Sequence, residues 1–582
     1  ALRQEIKAKP ADAIPVHRGE LNFCLRGCYS TMARFKFLYR HGENMLSRAE
    51  KTDSVVSGFL GGPGSDLTEV WQDVLFNSFH DILPGSAIER VFEDQTAWMG
   101  QVIHASQKTE FRALNRLARQ VDTQVAQRPE HHPSAVAALV WNPHARSYRG
   151  HVELEACLDY RPVWKYENKP SEIPLRVLGP SGKPLPFQEI EVESQVNPRV
   201  PWRKRVLVPV SLPSFGWNVL ELGWVEGATV PKTKDPVKSS PTWIDNGEYR
   251  VKAVVGKKGV AISHRGEPLL KGDGLTAELF EDPWGSWGGM AEEQDSIHLD
   301  ESREVWKITE VELRESGPER ATLWVRLAGA KSRIDLSFSV SRERSAVDVQ
   351  ARVFWADHSA RLKLKFPVGD KAEFEVPGAT VKREPNGEVP GGKWVAVNSK
   401  FGFASDALYN FDCGDGVLSA SVVRGTRYAT EASHSANGEP WVPTTDLGEL
   451  KFRFLMTART GDLPTLAREL EQPPVVLLVP SRKGTLPRHG SLVSLQPASL
   501  QLLAIKRAET GKGFVLRVQG THEKTIQGKL DWMGHAIHLG SVRSGQIKSW
   551  LLEPTESTWK ATVVDLSEDS IGKKSEEKKS RR

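Results

Sequence analysis

The chain has 582 residues, enough for three or four domains that each bury a hydrophobic core. Its composition, 39% apolar and 26% charged, is typical of a globular protein, and the 18 tryptophans are the one unusual count. The net charge of +5 comes mostly from the last ten residues, KKSEEKKSRR, which carry six basic and two acidic side chains. The nearly neutral remainder argues against a broad nucleic-acid-binding surface, and residues 567–582 are expected to form a disordered, charged tail.

Cysteine content and hydropathy bear on the compartment. Four cysteines are too few for a disulfide framework in a chain of this size, so a reducing, cytoplasmic location is expected. The sequence contains no run of 18 apolar residues and no signal-peptide core, so no membrane segment is expected. The chain begins with Ala1 rather than Met, which suggests an upstream part.

Residues 29–130 have the pattern of a three-helix bundle. The first helix is followed by a Gly-Gly-Pro-Gly break at 61–64. The second begins near Asp66, and the third opens at Ser86, where Ser86 and Glu89 fit a capping box, and runs to about Val125. The second helix has an apolar stripe with a period of 3.6 residues, formed by Val70, Trp71, Val74, Leu75 and Phe79.

From about residue 135 the sequence changes to short β-rich runs that Pro, Gly and Asn separate. The exception is a short helical candidate at 463–472. Linker-like stretches at 228–241 and 471–488 divide this part into three sandwich-like units. We therefore predict an α-then-all-β fold, in which a lead-in segment and a three-helix bundle precede several antiparallel β-sandwich domains: 1–28, 29–130, 135–227, 240–470 and 475–566.

The stretch FNSFHDILPGS, residues 76–86, places His80 and Asp81 side by side where the second helix ends. Neither residue shares the apolar stripe of that helix, so both side chains can face a neighbouring domain. An ordinary hydrogen-bonded helix end also explains the pair, since the helix dipole favours His at this position. From spacing alone, the helix end is the preferred interpretation.

Residues 71–86, WQDVLFNSFHDILPGS, resemble the signature of the glycoside hydrolase family 38 α-mannosidases, especially the cytosolic-type branch. The segment GELNFCLRGCYSTMARFK at 19–36 is similar to the family's approach to its helical bundle. Further similarity follows in the same order along the chain, in EVPGGKWVAV, GFASDALYNFD, SVVRG and TTDLGEL. The resemblance therefore extends from about residue 17 to 565.

The resemblance implies a retaining glycosidase that binds one zinc ion and hydrolyses terminal α-linked mannose in oligosaccharides. His80 is then a zinc ligand, and Asp81 contacts hydroxyl groups of the bound mannose. Both assignments agree with the chemistry, because a neutral imidazole binds zinc well and a carboxylate accepts hydrogen bonds from hydroxyls. The resemblance leaves a homo-oligomer open.

The two catalytic carboxyl groups of a retaining glycosidase lie about 5 to 5.5 Å apart. In this family they come from an N-terminal α/β domain that opens with an H-x-D pattern. The one H-x-D here, His298 to Asp300, lies in the β-rich region without a Trp close behind, and we interpret it as unrelated. The chain thus resembles the C-terminal portion of such an enzyme, with no catalytic residue of its own, and the isolated chain is expected to be inactive.

Five further residues are weaker candidates for sugar contact. Glu20, Arg26 and Tyr29 lie before the bundle, and solvent or interface pairing is the simpler interpretation for them. Trp284 lies in a glycine-rich loop that could expose an aromatic ring, although a packed core tryptophan is the simpler interpretation. Arg424, in SVVRG, is a candidate for the rim of the site.

Two other functions stay open. One is a non-catalytic carbohydrate-binding or pseudo-enzyme subunit, since this chain lacks the acid and the nucleophile. The other is a family relative that hydrolyses phosphorylated mannosyl-glycerate, which requires a basic phosphate pocket. An H-x-D-x-x-W segment upstream of Ala1 would favour the mannosidase over the non-catalytic subunit.

Overall fold

A computed structural model of the chain describes residues 20, 25–125, 135–158, 174–193, 203–225, 227, 229–289, 299, 301–430, 442–521 and 524–571. The predicted order of a helical bundle followed by antiparallel sheets is confirmed. The predicted disordered tail starts too early, because residues 567–571 bond back to earlier ones: Glu568 pairs with Lys506 at 2.8 Å, and the Ile571 amide donates to the Val563 carbonyl at 3.3 Å. Residues 572–582 lie outside the described part, as do His298 and Asp300.

A short 3-10 helix, Arg26–Tyr29, leads into the bundle. The bundle consists of α1 Ala33–Leu60, α2 Thr68–Asn77 and α3 Glu89–Ala118, with α1 and α3 packed along each other and the shorter α2 beside them. Its apolar core includes Phe35 and Phe92, whose ring centroids lie 5.6 Å apart. The predicted short helix is α4, Leu463–Glu471, which packs on the large sandwich.

Both predicted ends of the third helix were wrong. The helix begins at Glu89 rather than Ser86, because the Ser86 hydroxyl and amide instead bond to Asp81 and close the preceding turn. It ends at Ala118 rather than near Val125, because the chain then leaves the helix to pair with residues 482–486.

The strands, numbered β1 to β36 in chain order, form three groups. The first group is β1 Val136–Asn142, β2 Tyr148–Cys157, β3 Leu175–Leu178, β4 Pro184–Leu185, β5 Gln188–Ile190, β6 Arg203–Leu212 and β7 Gly216–Trp224. The second is β8 Lys238–Ser240, β9 Trp243–Asp245, β10 Tyr249–Lys252, β11 Gly259–His264, β12 Glu267–Pro268, β13 Leu275–Glu281, β14 Ser302–Val305, β15 Lys307–Ser316, β16 Arg320–Ala328, β17 Arg333–Ser341, β18 Val347–Trp355, β19 Ala360–Pro367, β20 Ala372–Val376, β21 Ala379–Arg383, β22 Val389–Pro390, β23 Trp394–Val397, β24 Phe401–Ser405, β25 Asn410–Gly414, β26 Val417–Gly425 and β27 Gly448–Thr457. The third is β28 Val475–Val479, β29 His489–Ser491, β30 Val493–Gln496, β31 Leu500–Arg507, β32 Phe514–Gly520, β33 Ile526–Trp532, β34 His535–Val542, β35 Ile547–Pro554 and β36 Trp559–Val564.

The small sandwich combines strands from two distant parts of the chain. One sheet has the order β28-β1-β7-β3-β4, with β29 also paired to β7, and a second sheet has the order β2-β6-β5. The predicted unit 475–566 therefore needs correction, because β28 and β29 complete the small sandwich. The alternating apolar side chains of both sheets form one core.

The large sandwich consists of two sheets. One contains β8 to β14, β19, β22, β25 and β26, and the other contains β15 to β18, β20, β21, β23, β24 and β27. Their facing side chains make the largest apolar core, which includes Trp306 and Trp355. The C-terminal domain contains the sheets β30-β33-β34 and β31-β32-β35-β36, and buries Trp532 and Trp550. These four tryptophans are fully buried packing residues.

The first helix, α1, joins these units through buried polar groups as well as apolar ones. The Arg40 guanidinium donates to the backbone carbonyls of Gly392, Ser405 and Leu408 in the large sandwich. It also pairs with the Glu471 carboxylate on α4 at 3.0 Å. Among the described residues, no helix is both long and apolar enough to cross a membrane.

Candidate functional site

The HD pair lies in a compact turn between α2 and α3. The turn is closed by backbone bonds, and the amides of Ser86 and Ala87 both donate to the Asp81 carbonyl, at 3.1 and 3.0 Å. At Gly85, φ is +94° and a Cβ would lie 2.8 Å from the Thr31 carbonyl oxygen. A glycine is therefore required where the turn passes the start of the bundle.

Within this turn, His80 is open to its surroundings. Its side chain is 79% exposed, and Nε2 lies 3.5 Å from Oδ2 of Asp81. The Asp81 side chain is 45% exposed and accepts a hydrogen bond from the Ser86 hydroxyl at 3.1 Å. The backbone is thus fixed while one imidazole and one carboxylate remain available to a partner or ligand.

Lys36, which the sequence did not single out, stabilises this turn by hydrogen bonds from the adjacent helix α1. Its buried ammonium on α1 donates to the carbonyls of Leu83 and Pro84, at 2.6 and 3.0 Å, and to that of Thr31. Burial lowers the Lys36 pKa to about 8. No spacing signal in the sequence distinguishes this lysine from a surface one, because its role depends on the turn folding back over α1.

A groove with large exposed apolar side chains surrounds Asp81. Its lining includes Phe76, Phe79, Ile88 and Trp287. Phe76, Phe79 and Ile88 are each about half exposed, and the neighbouring Leu75 is 63% exposed. Monomeric proteins seldom expose such a cluster, so this surface has the character of an interface.

The burial of α2 corrects one expectation from its apolar stripe. Val74 is 1% exposed and faces the bundle core, with Val70 and Trp71 packed against it. Leu75 and Phe79 instead face outward. The period correctly indicated a helix, but two of the five stripe residues belong to a surface that the described residues do not cover.

The glycine-rich loop after β13 reaches the groove through a different tryptophan from the one predicted. Trp287 lines the groove beside Asp81. The Gly27 amide donates to the Trp287 carbonyl at 3.1 Å, which ties this loop to the start of the bundle. Trp284 is half-buried, and its carbonyl accepts from Arg424 and from Thr426. Both tryptophans stand in one short segment, so the sequence could not select between them.

The placement of Arg424 contradicts the prediction of a rim residue. Its side chain is fully buried, and its guanidinium binds the Asp282 carboxylate bidentately, at 2.7 and 2.8 Å. It also donates to the carbonyls of Trp284 and Gly285 and to the Thr31 hydroxyl. Arg424 therefore fixes the loop that carries Trp287, and it does not contact a sugar itself.

The other candidates also have structural contacts. Arg26 is buried and donates to the carbonyls of Asn386 and Glu388. Glu20 is paired with Arg383, whose guanidinium donates to its carboxylate at 2.7 and 2.5 Å. Tyr29 is half-buried in the 3-10 helix. For Glu20 and Arg26, these contacts favour interface pairing over sugar contact.

The donor set fits zinc only in part. His80 offers an exposed imidazole with one carboxylate beside it. Among the residues that the structure describes, however, no group of three His, Cys, Asp or Glu side chains is placed to hold a metal ion. A protein zinc site needs three or four such ligands, so the described part of the chain does not form a complete one.

Two family models match the chain. Residues 24–117 match the α-mannosidase middle domain, and residues 245–429 match the C-terminal domain of glycosyl hydrolases family 38. An α-mannosidase from Saccharomyces cerevisiae is 38% identical over 85 residues, which cover 14% of this chain and 8% of the relative. α-Mannosidase G from Dictyostelium discoideum is 22% identical over 549 residues, covering 86% of this chain and 47% of its own. The chain thus spans about half the length of the Dictyostelium relative.

Two solved structures share the fold. An α-mannosidase from Enterococcus faecalis V583 has a TM-score of 0.77 at 14% identity, over 94% of this chain and 71% of its own. A family 38 glycosyl hydrolase from Enterococcus faecalis has a TM-score of 0.76 at 16% identity, over 94% and 73%. The helical bundle coincides with the match to the middle domain, and the large sandwich contains the match to the C-terminal domain. The chain contains the middle and C-terminal domains of glycoside hydrolase family 38, the α-mannosidase family.

Proposed function

We propose that this chain is the C-terminal part of a cytoplasmic, zinc-dependent, retaining α-mannosidase that removes terminal α-linked mannose from oligosaccharides. The curated relatives and one structural neighbour are named α-mannosidases, which supports the substrate class. An N-terminal α/β domain supplies the nucleophile, the acid/base and the remaining zinc ligands. The groove around Asp81 is the surface on which that domain docks.

The observation that carries this proposal is an exposed polar pair inside an exposed apolar surface. His80 is 79% exposed, while Leu75, Phe76 and Phe79 expose about half or more of their surface around it. A docked domain would bury this apolar surface and desolvate the pair. Burial strengthens the hydrogen bonds that the Asp81 carboxylate makes to sugar hydroxyls.

In this proposal His80 and Asp81 have separate tasks. His80 contributes one nitrogen to the zinc ion, which supplies Lewis-acid chemistry when bound. Asp81 accepts hydrogen bonds from mannose hydroxyls and so orients the sugar. Lys36 positions the turn that holds both residues.

The test compares His80→Ala and Asp81→Asn in the complete enzyme, made by joining or co-expressing this chain with its N-terminal part. His80→Ala should lower zinc affinity at least about tenfold. Loss of a residue that only hydrogen-bonds to a zinc ligand already lowers affinity by about that factor, and loss of the ligand itself should lower it no less. Asp81→Asn should keep zinc but lower α-mannoside turnover by about ten- to a hundredfold, because it loses a charged acceptor worth about 1.5–3 kcal/mol. Zinc content and turnover are measured on both variants.

His104→Ala is the matched control, because His104 is an exposed histidine on α3. It should change neither zinc content nor turnover. This chain alone should neither retain zinc through dialysis nor hydrolyse an α-mannoside. Full zinc and full turnover in His80→Ala would show that the HD pair is an ordinary helix end.

A further inference from the structure

A second cavity lies away from the His80 turn, where four structural units meet. It is lined by α1, by the turn between β1 and β2, by α4, and by β31 of the C-terminal domain. Its volume is about 180 Å³, space for roughly six waters at about 30 Å³ each. It is thus large enough for a small polyatomic ion with some hydration, but not for an oligosaccharide.

Three basic side chains from three of these units line the cavity: Lys51 on α1, Arg146 after β1, and Arg468 on α4. Lys51 is 1% exposed and Arg468 is 9% exposed. Lys51 Nζ donates to the Gln472 amide oxygen at 2.6 Å, which is a neutral acceptor. Arg468 also has a neutral acceptor, because with the Gln501 amide oxygen turned towards it, Nε and Nη2 donate at 3.0 and 2.7 Å.

The positive charges are close enough to oppose one another. Burial, followed by the charge of Arg468, holds the pKa of Lys51 well below its usual value. Burial also lowers the pKa of His144 in the same cavity, and Lys51, Arg146 and Arg468 lower it further. Bringing like charges together in a buried space costs free energy unless an opposite charge is present.

The nearby carboxylates do not supply that charge in full. Asp462 is the acidic side chain in the lining. Glu469 and Glu471, two residues apart on α4, act on Arg146 and Arg468 respectively, but Glu469 also bonds to Arg344 at 3.3 Å and Glu471 to Arg40 at 3.0 Å. The lining therefore carries three basic side chains against one carboxylate.

The lining also offers neutral donors of the kind that bind oxyanions. Thr465 and Ser499 line the cavity and each carries a hydroxyl group, whereas the Thr521 hydroxyl already donates to the Ser499 carbonyl at 2.8 Å. His144 does not add to this set, because its Nε2 donates to the Gln472 carbonyl at 2.9 Å and Nδ1 of the neutral ring can only accept. Arginine and lysine with hydroxyl groups form a typical phosphate-binding set.

We infer that this cavity binds a phosphate-type oxyanion, either free or as the phosphoryl group of a small metabolite. The anion would neutralise Lys51, Arg146 and Arg468 together. Because these residues belong to the bundle, the small sandwich and α4, the bound anion would join three units. The site is separate from the groove at Asp81 and does not depend on the mannosidase proposal.

The test measures the melting temperature of the 582-residue chain in sodium phosphate and in sodium chloride of equal ionic strength. A specific ligand should raise it by a few degrees at about a hundredfold excess over Kd, because only the folded chain binds. Titration calorimetry with inorganic phosphate gives Kd. A hexose monophosphate that binds more tightly than inorganic phosphate would identify a phosphorylated sugar, and equal or weaker binding would identify free phosphate.

Two variants assign the effect to the cavity. Lys51→Met keeps an unbranched side chain and should abolish the phosphate-dependent shift, and Arg146→Gln should weaken binding about tenfold. Arg112→Gln, at an exposed position on α3, is the control and should keep the full shift. The inference is overturned if phosphate acts no more strongly than chloride, or if Lys51→Met retains the wild-type shift in melting temperature.

Discussion

Arg424 is a buried charge that shapes the candidate site without lining it. Its guanidinium and that of Arg361 both bind the Asp282 carboxylate, and all three side chains are fully buried. Arg424 also holds the carbonyls of Trp284 and Gly285, just before Trp287 at the groove. A sequence with an arginine near the end of a strand does not reveal whether its side chain faces solvent or this interior.

We expect Arg424→Met to destabilise the chain by about 3 kcal/mol, because a buried carboxylate loses one of its two partners. Burial opposes ionisation of Asp282, but the charges of Arg424 and Arg361 prevail and lower its pKa to about 2, from 3.8. This lowered pKa stabilises the fold fully above pH 3.8, and the contribution is lost as the pH falls towards 2. The stability difference between wild type and variant, measured by denaturant unfolding, should therefore shrink over that window.

Arg352→Met provides the comparison, since Arg352 is 51% exposed and pairs with Glu449 on the surface. It should cost less than about 1 kcal/mol, because exposed ion pairs contribute little. A difference between wild type and Arg424→Met that stays constant from pH 5 to pH 2 would contradict the role given to Asp282.

At the scale of elements, α2 illustrates what periodicity can and cannot show. Its apolar period predicted a helix, and a helix forms from Thr68 to Asn77. Which part of the stripe is buried depends on the elements packed against it, and Leu75 and Phe79 lie beyond the reach of the bundle. The apolar side chains of the stripe that no described element covers therefore indicate a second surface of α2, one that binds a partner.

Leu75→Ser and Phe79→Ser should change the stability of this chain alone by no more than about 0.5 kcal/mol, since both side chains are substantially exposed. Val74→Ala, at the neighbouring position that faces the bundle core and is 1% exposed, should cost about 2 kcal/mol. Binding of the proposed N-terminal domain should be affected in the opposite order, and the two serine variants should weaken it most. Thermal unfolding and a pull-down with the N-terminal part measure the two effects.

The capping box at Ser86 shows why other local signals failed. Ser86 and Glu89 have the residue types and spacing of a helix start, but the Pro84-Gly85 turn brings Ser86 back to Asp81 instead. The contacts of Lys36 and Arg424 likewise join residues far apart in the chain. Helix and strand types were predictable from local pattern, and the HD pair from resemblance, whereas these long-range contacts had no local signature.

At the scale of the whole molecule, α1 is the element that every unit shares. It contributes Phe35 and Leu46 to the bundle core and Val55 and Val56 to the core shared with the C-terminal domain. Midway, Arg40 bonds to the large sandwich and to α4. The described units are therefore expected to unfold together rather than one by one.

We expect Arg40→Leu to destabilise the whole chain by about 3–5 kcal/mol, because it leaves the Glu471 carboxylate buried with a weaker partner. Tryptophan fluorescence, which reports mainly on the sandwiches, and far-ultraviolet circular dichroism should shift to the same lower midpoint. Lys108→Leu, at an exposed position on α3, should leave both midpoints in place. Separate transitions for helices and sheets in Arg40→Leu would show that α1 does not couple the units.

The pairing of β28 with β1 has a consequence for the order in which the protein is made. The ribosome releases Val136–Asn142 more than 300 residues before Val475–Val479, the strand that covers one edge of β1. At a translation rate of about 5–20 residues per second, that edge of β1 stays unpaired for roughly 15 to 70 seconds. An unpaired edge strand can pair with another nascent chain, so β1 is open to such mispairing until β28 is translated.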